Sequence, residues 1–66
     1  MKPFNVGTKV EILYSPSDEP ADWVAGEVAG IICPNMIGWG QSGNSVRIAK
    51  GKFIEVTEPM MIRKVA

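Results

Sequence analysis

Two aromatic residues with three acids between them are the first feature in this chain able to do chemistry: Tyr14 and Trp23, separated by a stretch that carries Asp18, Glu19 and Asp22. The face of an aromatic ring attracts cations, each favourable contact contributing about 0.5–2 kcal/mol, and neighbouring carboxylates add to that attraction. A corner built this way would take a basic or cationic group, or an extended peptide laid across it. Phe53 and Trp39 are further aromatics within reach of such a role, Trp39 as a second anchor. The same Tyr14 and Trp23 rings would equally serve to cap one end of a small apolar core.

A second constellation is basic. Residues 1–30 carry two lysines against five acids, and residues 31–66 carry five bases against two acids, so a net charge of zero hides halves of −3 and +3. Arg47, Lys50 and Lys52 form the densest part of the positive half and could meet phosphate, a nucleic acid or an acidic partner. The sequence pI near 6.1 argues against strong non-specific nucleic-acid affinity. Gly38-Trp39-Gly40-Gln41-Ser42-Gly43 spells G-x-G-x-x-G. That pattern holds a pyrophosphate only where a strand enters it and a helix leaves it, and Asn44-Ser45-Val46 reads instead as the start of a strand.

Other chemistry is excluded by composition. With no histidine there is no imidazole base and no histidine-ligated metal. Cys33, the one cysteine, cannot close an intrachain disulfide; beside Pro34 and without a charged neighbour it reads as a small buried hydrophobe. Neither a metal nor a cofactor is expected. No apolar run reaches the ~18 residues that span a bilayer, and Met1-Lys2-Pro3-Phe4-Asn5 lacks a leader's apolar stretch, so the expectation is a cytoplasmic protein off the membrane.

The elements that must position these residues are short strands. Seven glycines and five prolines in 66 residues fall between β-branched runs, the spacing of one compact all-β domain over 1–66 with no room for a helix of two turns. Lys9 to Tyr14 alternates Val10, Ile12 and Tyr14 with Lys9, Glu11 and Leu13, which predicts a half-buried strand. Ser15 to Asp22 is a long loop, and Trp23 to Ile32 a long second strand with Gly26 and Gly30 as places to bend and Val24, Val28 and Ile32 facing inward. Cys33 to Asn44 reads as another loop, with Met36, Ile37 and Trp39 more apolar than a solvated loop should be. Ser45 to Ala49 and Phe53 to Thr57 flank Lys50-Gly51-Lys52 as a tight hairpin. Pro59 should open a single 3₁₀ turn before a last strand, Ile62 to Val65.

Five strands in this order, with a long first loop, a tight late hairpin and a 3₁₀ turn before the last strand, resemble the element order of an SH3-like barrel. The runs Val6 to Tyr14, Trp23 to Val28 and Ile62 to Val65 resemble the corresponding strands of Tudor and Agenet-type domains. That resemblance implies a methyl-lysine or methyl-arginine cage at positions similar to Tyr14 and Trp23. Val46-Arg47-Ile48-Ala49 more weakly resembles the Val-Gln-Ile-Tyr motif of plasmid-type (type II) dihydrofolate reductases, tetrameric barrels with a shared central pore; here Arg47 stands for the glutamine and Ala49 for the tyrosine. The expectation carried forward is a non-enzymatic module that recognises a peptide or protein surface through Tyr14, Asp18, Glu19, Asp22, Trp23, Trp39 and Phe53. It is expected to self-associate, because so small a core cannot bury every one of Met36, Ile37, Trp39, Met60 and Met61.

Overall fold

A computed structural model of the chain describes residues 1–33 and 41–65. Five strands pair into one antiparallel sheet: β1 (Lys9–Tyr14), β2 (Asp22–Ile32), β3 (Gly43–Arg47), β4 (Phe53–Val56) and β5 (Ile62–Lys64), in the order β4-β3-β2-β1-β5. Among the described residues no helix is long and apolar enough to cross a membrane.

Alternation places the core. Val10 and Ile12 of β1 point to one face, and so do Val28, Val46, Val56 and Ile62 from the other four strands; all six are buried in a single cluster. Both end strands of the sheet, β4 and β5, thus contribute to the same core as its centre. Tyr14, Val24, Ile48, Ile54 and Met61 pack around it, and Met1 and Phe4 close over it from the N-terminal segment.

That segment is tied down by a buried side chain. Asn44, 0% exposed, accepts a hydrogen bond from the Phe4 N–H on Oδ1 (2.8 Å) and donates from Nδ2 to the carbonyls of Phe4 (2.9 Å) and Gly30 (3.1 Å). The carboxamide so pairs with the Phe4 backbone as a neighbouring strand would, and its polarity is fully matched.

Several expectations need correction. β3 starts at Gly43, inside the stretch expected to be loop, because β2 pairs with it as far as Ile32↔Gly43. The connection from β3 to β4 is a second 3₁₀ turn, Ala49–Gly51, rather than a plain tight hairpin, with Lys50 (φ 67°) and Gly51 (φ 73°) both left-handed. The pairing shifts between Val28 and Gly30, leaving Ala29 as an extra residue; this bulge resets the alternation, and Ile32 does not join the core cluster. Cys33 is exposed, not buried. The expected 3₁₀ turn is present at Pro59–Met61, directly before β5. Met36, Ile37, Trp39 and the first half of the G-x-G-x-x-G run, Gly38 to Gly40, lie outside the described residues.

Candidate functional site

The register of β1 against β2 decides what the aromatic residues can do together. Leu13 pairs with Trp23 and Tyr14 with Asp22, and paired residues share a face while chain neighbours alternate. Tyr14 therefore lies on the core-facing side, where it packs against the cluster, and Trp23 lies on the opposite face with Glu11 and Leu13. Phe53, opposite Arg47 on β4 and 58% exposed, sits two strands from β2. The structure does not bring Tyr14, Trp23 and Phe53 into one cage.

Each of the first two rings already has a cation from its own chain. The Arg63 guanidinium lies 3.8 Å from the centre of the Trp23 ring, while its Nε donates to Glu11 Oε1 at 2.9 Å. Lys52 Nζ donates to the Tyr14 hydroxyl at 2.7 Å and lies 5.3 Å from the ring centre. A ligand cation on Trp23 would have to displace Arg63, which holds both a ring and a carboxylate.

The acids between the rings serve the loop. Ser15 Oγ donates to the Glu19 carbonyl (2.6 Å), and the Glu19 N–H donates to the Pro16 carbonyl (3.1 Å), closing a β-turn with Asp18 left-handed at φ 79°. Asp22 Oδ1 accepts from the Trp23 N–H at 2.8 Å. Asp18, Glu19 and Asp22 are all exposed.

The basic residues are likewise divided. Glu27 accepts from Lys9 (2.7 Å) and pairs with Arg47 (3.4 Å). The Lys9 hydrogen bond and charge, and after them Arg47, hold the Glu27 carboxyl below the ordinary glutamate range. Lys9, Arg47 and Lys50 border a wide, shallow depression of about 520 Å³ over Gly26 and Glu27, while Lys52 is turned to Tyr14. Arg47, standing where the reductase motif has its glutamine, is committed to Glu27.

What does form beside Tyr14 is a groove of about 340 Å³ that sequence reasoning did not anticipate. It runs between the end of β1 (Leu13, Tyr14) and the stretch from Ile54 through Thr57 and Glu58 to Met61. The two sides come from distant parts of the chain, so nothing in local spacing signals it. Its lining is apolar or hydroxyl-bearing apart from Glu55 and Glu58. Among the described residues no group of three or more Cys, Asp or Glu is placed to hold a metal ion. Comparison of the chain with protein-family models, with curated proteins and with solved structures found no match.

Proposed function

We propose that this chain is a non-enzymatic binding module that takes a peptide or protein segment in the groove between Tyr14 and Met61, on a sheet rolled into a small SH3-like barrel. The barrel reading is supported by the single core to which all five strands contribute, and by the groove itself, where β4 at one end of the sheet order approaches the turn that leads into β5 at the other. The observation that carries the function is the groove's make-up: aromatic and aliphatic walls with carboxylates only at Glu55 and Glu58, a surface for apolar contact with a basic neighbour rather than for bond-making chemistry. Of the residues expected at the site, Tyr14 lines the groove, and the Trp23 ring is covered by Arg63.

The test is selection of peptides from a randomised displayed library on the full chain, followed by affinity measurement of recovered peptides against Thr57→Arg and Trp23→Ala. The long side chain of Thr57→Arg should fill the groove and weaken binding at least about tenfold, the loss of one good buried contact, while Trp23→Ala leaves it nearly unchanged. Peptides that ignore Thr57→Arg but fail on Trp23→Ala would return the site to the opposite face and overturn the groove reading.

A further inference from the structure

The groove has an open hydrogen-bonding edge as one wall. The Ile48 N–H donates to the Lys52 carbonyl at 2.8 Å, which sets the phase of the β3–β4 ladder. Counting in twos, Lys52, Ile54 and Val56 turn their backbone groups toward β3, and Phe53 and Glu55 turn theirs to the outer edge of β4. β4 is the last strand in the sheet order, and among the described residues no backbone hydrogen bond reaches that outer edge. Ile54 and Val56 of the same strand line the groove, so one extended segment could pair with the edge and seat alternate side chains in the groove.

Resting on the groove reading above, we propose that the ligand binds by strand addition to the β4 edge, as an extended peptide that alternates apolar residues over the groove with basic residues beside Glu55 and Glu58. Charge selects this occupant. Neither Glu55 nor Glu58 is ion-paired among the described residues, in contrast to Glu11 and Glu27. A lysine or arginine opposite Glu55 makes a favourable cross-strand pair, and exposed Phe53 offers its ring to the next residue on the same face. A second copy of this chain, paired about Glu55, would oppose two carboxylates instead.

The probe is a labelled, N-acetylated Lys-Ile-Lys-Val-Lys peptide, compared with a version N-methylated at alternate backbone positions and with the wild type exchanged for Glu55→Lys. Saturation should slow hydrogen exchange at the Phe53 and Glu55 amides. N-methylation should weaken binding about tenfold or more, the equivalent of one or two lost hydrogen bonds, and Glu55→Lys should do at least as much with the folded spectrum retained. If library-selected peptides depend on Thr57 but neither N-methylation nor the Phe53 and Glu55 amides respond, strand addition is wrong and the groove reading stands. Failure of the probe to bind also overturns strand addition. A dimer in light scattering whose contact protects the same two amides would assign the edge to a second copy, and that too overturns the proposal.

Discussion

Replacing Asn44 should cost this fold more than any other single polar change, because the carboxamide replaces a missing strand. Asn44→Ala removes one acceptor and two donors at a fully buried side chain, so the half-buried Phe4 N–H and the Phe4 and Gly30 carbonyls lose their protein partners. At about 1 kcal/mol net for each bond, the loss is about 3 kcal/mol. A chain of 66 residues has about 3–10 kcal/mol in total, so the variant stands near the limit of folding and melts about 12–24 °C lower. Asn44→Asp keeps the shape but sets a carboxylate against two carbonyl oxygens. Burial among acceptors raises that carboxyl's pKa, so the folded variant binds a proton more readily than the unfolded one and gains stability as pH falls from 7 toward about 5. Urea unfolding of both variants at the two pH values measures this. Hydrogen exchange at the Phe4 and Val46 amides shows whether the N-terminal segment lifts alone or the whole core opens. An Asn44→Ala variant within about 1 kcal/mol of wild type, with Phe4 still protected, would refute the reasoning, since one bond's net value could then account for the site.

Lys50 holds φ 67° with an ordinary side chain, so Lys50→Gly should raise stability by a few tenths to about 1 kcal/mol and Lys50→Val lower it, read from denaturation midpoints. At Gly43 an added Cβ would collide with the Val56 carbonyl oxygen and lie 2.9 Å from the Thr57 Cα, so Gly43→Ala should open the β3–β4 pair and lose about 1–3 kcal/mol or more; an unchanged midpoint would contradict the close approach. Glu27, with its carboxyl held below the usual range, contributes stability that is complete above the ordinary glutamate pKa and lost as pH falls through its own lower value. Lys9→Met should move the Glu27 titration upward by NMR and remove that share of the acid sensitivity. Trp23 and Arg63 should couple by about 0.5–1 kcal/mol in a double-mutant cycle of Trp23→Ala with Arg63→Gln, and additivity would mean that the stacking contributes nothing.

What could be read in the sequence was what local pattern decides. The alternation of Lys9 to Tyr14 predicts β1 to the residue, and Pro59 predicts its 3₁₀ turn, because strand faces and proline's fixed φ are properties of neighbours in the chain. Asn44 escaped because its partners lie 14 and 40 residues away, and a polar residue after glycines reads as loop until they are in view. The left-handed Lys50 escaped because no propensity places a lysine there. The candidate site turned on something finer still, the length of the loop from Ser15 to Ala21. That loop sets Tyr14 against Asp22 and Leu13 against Trp23. A slip of one residue would pair Tyr14 with Trp23 directly and put both rings on one face, the arrangement that their types and spacing suggested. The actual register sends Trp23 to Arg63 and Glu11 on the outside, and leaves Tyr14 on the core side with Lys52, at the head of a groove whose other wall is the distant stretch from Ile54 to Met61. Composition can therefore name the aromatic residues of this chain, but whether they form one pocket or two separate contacts depends on the parity of a single strand pair.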